Sequence, residues 1–485
     1  MKVYLIGIGG IGMCGVAGIL KESGFEVYGS EKKIPYPPSS LILKKLNIPL
    51  YKPDSENIKK IKPDAVIVGN IAKSDDQEVL ISQSLGIPLY SFPSFLDKFI
   101  LKDKKVFLCA GTHGKTTVTA LLSYTLEYLG FDPTYLVGGV LKHTELNYRK
   151  GEGDFAVIEG DEYPASFFDR EPKFLYYHPF AVILTSLEYD HADVYPDMES
   201  LKEVFKKLIK SVPKEGIIVY NYDDKNLREV IESANPNVRI ISYGKNSKAD
   251  FVLLKSETTF EDLVFKNHVI TNTPFKNLEF FFSIPGEYNA LNALSVIALL
   301  YSLDLLKMDW KEAFKTFPGV KRRQEIVWAD EKLIIVDDFA HHPTAVKNTL
   351  EELKKAIKPE KTVAIFEPRT NSSKRKIFQE DYVKSLSLAD EIYLKIPPGL
   401  ENIPERERID INYILESLKN LEKKVFFLEN NLDNNLSFYK IKKEKTLVVF
   451  MSSAYFKELG KLKNLILKPK IKRSQLSENR IKKKC

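Results

Sequence analysis

The chain has 485 residues, 44% hydrophobic and 28% charged, the make-up of a globular protein with room for about three domains, each long enough to bury a core. Its net charge of +7 is concentrated at one end: eight Lys/Arg against one acid between Lys468 and Cys485 leave residues 1–467 near neutral, which excludes a nucleic-acid-binding body. Three scattered cysteines exclude a disulfide framework and point to a reducing, cytoplasmic compartment, and no 18-residue apolar span free of charge is present to cross a membrane.

In chain order, Lys2 to Ile6 reads as a short strand. Gly7-Ile8-Gly9-Gly10-Ile11-Gly12 follows, then a helix from about Met13 to Ser23 and a strand Val27 to Ser30 that ends in Glu31. Strand, G-x-G-x-x-G, helix, strand is a pyrophosphate cradle, open to a dinucleotide or to a UDP-sugar. The five glycines between Gly7 and Gly15 also break an apolar start that would otherwise resemble a secretion signal. With strands at Ala65 to Gly69 and Ile87 to Tyr90, residues 1–103 form a first α/β unit, Rossmann-like in layout.

The second unit, 104–319, opens on the stretch around which the chain is organised. An apolar strand, Val106 to Ala110, runs into Gly111-Thr112-His113-Gly114-Lys115-Thr116-Thr117, and Val118, Leu121, Leu122, Thr125, Leu126 and Leu129 then recur at helical spacing. This is a phosphate loop of the short G-T-x-G-K-T form, with Cys109 where the longer form has glycine. Lys115 is expected on the β/γ-phosphates of ATP and the Thr116 hydroxyl on Mg²⁺. Strands at Asp154 to Glu159 and Ala181 to Thr185 each end in acids: Glu159, Asp161 and Glu162 after the first, and Glu188, Asp190, His191 and Asp193 after the second. Ligands in open α/β sheets gather beyond such strand ends, so both clusters are candidates for metal and phosphate chemistry. A further strand spans Ile217 to Tyr220. Gly286 to Ala293 opens a helix that places Asn289 and Asn292 on one face. Phe317-Pro318-Gly319 closes the unit.

The third unit, 320–467, begins with a strand Lys332 to Val336 ending in Asp337-Asp338-Phe339-Ala340-His341-His342-Pro343. A helix to about Ile357 follows, with strands at Thr362 to Phe366, Glu391 to Ile396, Val425 to Leu428 and Thr446 to Met451. The paired histidines have no Cys or third His near them in sequence, which argues against zinc. The last segment, 468–485, is expected to be a disordered basic tail.

The ordered motifs GTHGKTT (111–117), the acids at 159–162, EYDHAD (188–193), GEYNALNA (286–293), GVKRRQE (319–325) and DDFAHHPTA (337–345) resemble those of the Mur ligase superfamily, ATP-dependent amide ligases of cell-wall synthesis. The resemblance implies three domains: a Rossmann-like UDP-sugar domain, a central P-loop ATPase domain and a Rossmann-like C-terminal domain. It implies ATP contacts at Gly111 to Thr117, Asn289, Arg323, Asp338 and His341, and a UDP-sugar site at Gly9, Gly10, Ile11, Gly12, Ser30 and Asn70. Lys115, Glu159 and His191 would be catalytic; Thr116 and Glu159 would hold Mg²⁺, and His191 a second metal near the transferring phosphate, the histidine also suiting Mn²⁺.

The Ile158–Asp169 and Lys173–Pro179 stretches, Gly69-Asn70 and Phe366-Glu367-Pro368-Arg369-Thr370-Asn371 are similar to the murein peptide ligase branch. That branch joins UDP-N-acetylmuramate to the recycled tripeptide L-alanyl-γ-D-glutamyl-meso-diaminopimelate through an acyl phosphate. The alternative is the branch that adds L-alanine. Other rivals are a UDP-sugar-binding protein without catalysis and, from G-x-G-x-x-G alone, an NAD-dependent oxidoreductase. Two departures stand out: Pro164 replaces an acid, and Ser452-Ser453-Ala454-Tyr455-Phe456 replaces a glycine-rich loop. The position of the family's carbamylated lysine falls near Phe205, so none is expected. The Pro-Gly boundary predicts that the third unit closes over ATP.

Overall fold

The computed structural model describes residues 1–428 and 444–460. The basic tail expected at 468–485 lies outside the described residues. The chain builds three sheets in sequence.

The first holds β1 (Lys2–Ile6), β2 (Glu26–Ser30), β3 (Leu50–Tyr51), β4 (Ala65–Val68) and β5 (Leu89–Ser91), all parallel, in the order β3-β2-β1-β4-β5. Every side chain of β4 is buried, as a parallel strand covered on both faces demands.

The second sheet has ten strands. These are β6 (Lys105–Ala110), β7 (Thr134–Leu136), β8 (Tyr148–Arg149), β9 (Phe155–Gly160), β10 (Ala181–Leu184), β11 (Ile217–Asn221), β12 (Arg239–Gly244), β13 (Phe251–Glu261), β14 (Val264–Asn272) and β15 (Asn277–Phe282). Their order is β15-β14-β13-β12-β11-β10-β6-β9-β7-β8. β6 lies between β9 and β10, so the phosphate loop is flanked by the loops that carry both acidic clusters.

The antiparallel extension β13–β15 is not among the predicted elements. Its first turn uses Asp262 and Leu263, both in the left-handed region at φ 52° and 64°. Hairpin turns of that kind ordinarily announce themselves with Asn-Gly or Asp-Gly, and a leucine there gives no signal.

The third sheet holds β16 (Glu325–Ala329), β17 (Leu333–Asp338), β18 (Lys361–Phe366), β19 (Glu391–Leu394), β20 (Lys424–Phe427) and β21 (Thr446–Met451), ordered β16-β17-β21-β18-β19-β20. β16 is its antiparallel edge, another strand absent from the predicted elements.

The first and second sheets are joined through helix Ile11–Glu22. A Cβ on Gly18 would lie 2.0 Å from the Tyr148 ring, so only glycine lets this helix seat on β8. The glycine-rich start therefore does two jobs: its first glycines make a loop, and Gly18 makes an interdomain contact. Phe205 is fully buried against Phe174, ring centroids 5.4 Å apart, and the adjacent Lys206 is 3.5 Å from Glu203. An apolar core position cannot carry a carbamylated lysine.

Candidate active site

The strand ends of all three sheets converge on one cleft of about 560 Å³. Its walls include Gly10 to Gly12 and Asn70 from the first sheet, Thr112 to Thr117 from the second, and Arg323 and Asp338 to His342 from the third.

Helix Lys115–Tyr128 starts at Gly114, whose φ is 81° and whose missing Cβ would lie 2.6 Å from the Asn292 Oδ1. The first intrahelical bond runs from the Val118 amide to the Gly114 carbonyl, so the amides of 115–117 have no partner within the helix. A helix start of this kind attracts anions. The loop before it is braced from below. The Thr112 amide donates to the Ser186 carbonyl (2.9 Å), the His113 amide to Ser186 Oγ (2.9 Å) and the Thr112 hydroxyl to the Glu188 carbonyl (3.0 Å). Gly111 packs on Thr185 and Ser186 and does not line the cleft.

Lys115 Nζ donates to both oxygens of Glu162, at 3.0 and 2.8 Å, and His191 Nε2 lies 3.1 Å from the same carboxylate. Burial alone would raise the Glu162 carboxyl, but Lys115 and His191 hold it below the usual carboxylate range. Burial would likewise push the His191 imidazole down, and its bond to Glu162 outweighs this, lifting it to about 9. Asp161, buried beside them, is pulled down to about 2 by Lys173, whose Nζ is 2.6 Å away, and by Lys115.

Glu159 faces elsewhere. Its Oε1 accepts from the Thr116 hydroxyl at 2.9 Å and its Oε2 from the Gly138 amide at 2.6 Å. The residues expected to hold metal lie in two groups: the oxygen pair Thr116–Glu159, and His191 with Asp161 and Glu162, whose donor atoms lie within 4.8 Å of one another. Carboxylates and a hydroxyl at the mouth of a phosphate loop fit a hard divalent cation.

The third sheet reaches in through Arg323. Its Nη2 donates to Thr116 Oγ1 at 3.0 Å, and its guanidinium lies 4.5 Å over the Phe339 ring. Asp338 accepts from the Gln324 and Ala340 amides at 2.7 and 2.6 Å, which fixes the loop that presents Arg323. Asn289 donates to the Pro285 carbonyl (2.7 Å) and to Gln324 (2.9 Å), stitching the start of helix Glu287–Ser302 to that loop. Burial pushes His341 down to about 4, so it is neutral at pH 7. Its Nδ1 lies 3.1 Å from the Phe339 carbonyl, which assigns the proton to Nδ1 and leaves Nε2 an acceptor.

The histidine pair gains in space the companion it lacks in sequence. His113 stands 4.8 Å from His342, ring to ring, and Glu188 accepts from His113 Nε2 (3.2 Å) and from the Thr344 hydroxyl (2.8 Å).

Two residues expected at the UDP-sugar site are placed differently. The Gly9 amide is taken by Glu31 Oε2 at 2.8 Å, and the fully buried Ser30 donates to Glu78 at 2.5 Å and lines a separate cavity with Glu31 and Asp76. Gly10, Ile11, Gly12 and Asn70 do line the main cleft, and Asn70 donates to the Pro164 carbonyl at 2.7 Å. Lys173, Gln324 and Tyr288 also line this cleft without having been expected there. All three lie inside stretches already singled out: Lys173 in 173–179, Tyr288 in GEYNALNA (286–293) and Gln324 in GVKRRQE (319–325).

The replaced loop at 452–456 is held by Arg322, which donates to the carbonyls of Ser452 (2.6 Å), Ser453 (3.2 Å) and Ala454 (2.6 Å).

Three family models match the chain in succession. They are the Mur ligase family catalytic domain over 2–104, the Mur ligase middle domain over 109–300 and the Mur ligase glutamate ligase domain over 322–454. The chain is 33% identical to the UDP-N-acetylmuramate–L-alanyl-γ-D-glutamyl-meso-2,6-diaminoheptandioate ligase of Escherichia coli K12, over 82% of this chain and 85% of that one. The structure of the UDP-N-acetylmuramate–alanine ligase of Thermotoga maritima superposes with a TM-score of 0.78 at 27% identity, covering 96% of this chain and 98% of that one. A murein peptide ligase from Psychrobacter arcticus superposes at 0.71 and 26% identity, with the same coverage.

Proposed function

As the chain belongs to the Mur ligase family, ADP-forming ATP-dependent amide ligases, we propose that it joins UDP-N-acetylmuramate to L-alanyl-γ-D-glutamyl-meso-2,6-diaminoheptanedioate in peptidoglycan recycling. One observation carries the choice of acceptor. The two stretches that set the tripeptide branch apart meet at Asp193: the Tyr163 hydroxyl donates to Oδ2 at 2.6 Å and Asn371 Nδ2 donates to the same oxygen at 3.0 Å. Asp161, Lys173 and Tyr177 of the first stretch and Thr370 of the second line the cleft, where an acceptor would enter between the second and third sheets.

In this reading Gly10, Ile11, Gly12 and Asn70 hold the UDP-sugar, and the helix start at Gly114–Thr117 holds the ATP phosphates. Asn289 from the second unit and Arg323, Asp338 and His341 from the third enclose the nucleotide. A lactyl carboxylate oxygen attacks the γ-phosphorus, ADP leaves, and an acyl phosphate results. The acceptor amine then attacks the acyl carbon, inorganic phosphate leaves, and the amine sheds a proton. The difficulty of the first step is charge: a carboxylate approaches a polyanion. Lys115 and Arg323 converge there as positioned cations, a contribution worth roughly 10²–10³ in rate for one such group. An arriving phosphate competes with Glu162 for Lys115.

Thr116 and Glu159, with His191 on the facing loop, would hold Mg²⁺ or Mn²⁺, which supplies further neutralisation of the phosphate charge. Because His191 carries a proton when paired with Glu162, a metal held there would have to displace that proton. ATP and a UDP-sugar are cytoplasmic metabolites, which places the reaction in the cytoplasm. Among the described residues no helix is long and apolar enough to cross a membrane.

The second reading, L-alanine as acceptor, is supported by the higher TM-score to the alanine-adding enzyme. ADP release from ATP with UDP-N-acetylmuramate and Mg²⁺ separates the two. Turnover with the tripeptide and none with L-alanine is expected, and turnover with L-alanine overturns the assignment.

A further inference from the structure

A second cavity, of about 690 Å³, lies beside the main cleft and is walled by the same two chain segments. In the first segment Asp190 and His191 line the main cleft, whereas their neighbours Tyr189, Ala192 and Pro196 line the second cavity. In the other, Thr370 lines the main cleft and Arg375, Lys376 and Ile377 line the second. These two segments are therefore shared by the walls of both cavities. An extended tripeptide spans about 10 Å, and a γ-glutamyl link lengthens it. A peptide whose amine sits beside His191 therefore extends well beyond that residue, whereas a single amino acid does not.

The chemistry of the second cavity is that of a receptor for a zwitterion. Arg375, Lys376 and Arg406 supply three cations, and Glu407 a carboxylate. Arg375 Nη1 holds Glu407 Oε2 at 2.5 Å, while Arg375 Nε is buried without a hydrogen-bond partner. Arg406 Nε stands 3.6 Å from the other oxygen of Glu407, with its side chain 86% exposed. The two exposed cations, Lys376 and Arg406, beside a guanidinium already turned to Glu407, suit an incoming carboxylate. Asp197 also lines the cavity, but its Oδ1 is committed to the Ser200 amide at 2.8 Å as the cap of helix Met198–Ser211.

We propose that this cavity receives the free end of the acceptor's third residue, its carboxylate on Arg375, Lys376 and Arg406 and its ammonium on Glu407. The inference rests on the tripeptide reading above. A diaminoheptanedioate end carries both charges. A lysine end carries only the ammonium, and L-alanine does not reach the cavity.

The test is steady-state kinetics of the full chain with two acceptors, L-alanyl-γ-D-glutamyl-meso-2,6-diaminoheptanedioate and its L-lysine counterpart, in the wild type, Arg406→Glu and the double variant Lys376→Ala/Arg406→Ala. Both side chains are exposed and outside the main cleft, so folding is preserved. The double variant is expected to raise KM for the diaminoheptanedioate peptide at least tenfold, with kcat within threefold and the KM values for ATP and UDP-N-acetylmuramate unchanged. Its preference for diaminoheptanedioate over lysine should collapse toward unity, and Arg406→Glu should favour the lysine peptide. An unchanged KM and an unchanged preference overturn the proposal. So does a uniform loss of kcat with the preference intact, the mark of a merely structural role. A wild type active with L-alanine and inert with either peptide overturns the tripeptide reading itself, and is seen before any variant is made.

Discussion

Replacing Lys115 by methionine keeps the volume and removes the charge, and two separate losses are expected. Glu162 is only 2% exposed and is held by Lys115 at 2.8 and 3.0 Å and by His191 at 3.1 Å. Removing one partner of a buried pair costs about 3–5 kcal/mol, since the other charge stays buried and uncompensated. His191 remains on the carboxylate, so about 2–3 kcal/mol is expected for Lys115→Met in urea unfolding. Lys115→Met/Glu162→Gln removes the stranded charge and should recover at least half of that loss. Activity follows the opposite pattern: both variants lose the cation at the phosphates, about 4 kcal/mol or 10³ in kcat/KM. Calorimetric binding of UDP-N-acetylmuramate should be unchanged in both, because Gly10 to Gly12 belong to the first sheet. A double variant no more stable than the single one would refute the stranded-charge argument. ADP formation by Lys115→Met within tenfold of wild type would refute the role of the lysine.

Three further outcomes are expected. Gly114→Ala puts a methyl 2.6 Å from Asn292 Oδ1 at a residue with φ of 81°, so ATP affinity measured by calorimetry should fall at least tenfold; an unchanged affinity would show that the helix start does not bind phosphate. Arg323→Lys keeps the charge but loses both the planar stack on Phe339 and the fixed fork that reaches Thr116, so KM for ATP should rise about tenfold or more and any ATP-induced compaction seen by small-angle scattering should shrink; kinetics and scattering like wild type would count against closure through this residue. Burial pushes the Asp337 carboxyl up to about 7 although Arg322 Nε stands 3.4 Å away. The folded protein then binds this proton more tightly than the unfolded chain between about pH 4 and 7, so its contribution to stability falls as pH rises through that window, by at most about 4 kcal/mol. Asp337→Asn should abolish that slope in urea unfolding at pH 5 and pH 8, and a wild-type–variant difference independent of pH would refute it.

The sequence by itself determined the local parts: short apolar runs that become buried parallel strands, the glycine loop before Lys115, the helix that follows, and the order of the three α/β units. β1 and β21 fall at the predicted residues, and the other predicted strands differ from those observed by one or two residues at their ends, because burial period and turn chemistry are read within about ten residues. Some local features nevertheless escape the sequence pattern: β3, β7, β8 and β12; the hairpin turn at Leu263, which lacks the usual turn residues; and the edge strand β16, whose side chains are all only half-buried and so leave no buried face to read.

Tertiary structure decided the rest. Lys115 pairs with Glu162, 47 positions away, because β9 lies beside β6. Ser30 turns to Glu78 and Gly9 to Glu31, where the glycine pattern predicts a phosphate. Glu159, on β9, meets Thr116 and Gly138, whereas Glu162, two residues past the strand's end, meets Lys115 and His191. Arg323 and Asn371 reach the second sheet from the third. A side chain's type and the shape of its own segment are written in neighbouring residues. Which distant charge it meets depends on strand order and on the angle between sheets, and those are set by the burial of whole faces, to which no short stretch of sequence has access.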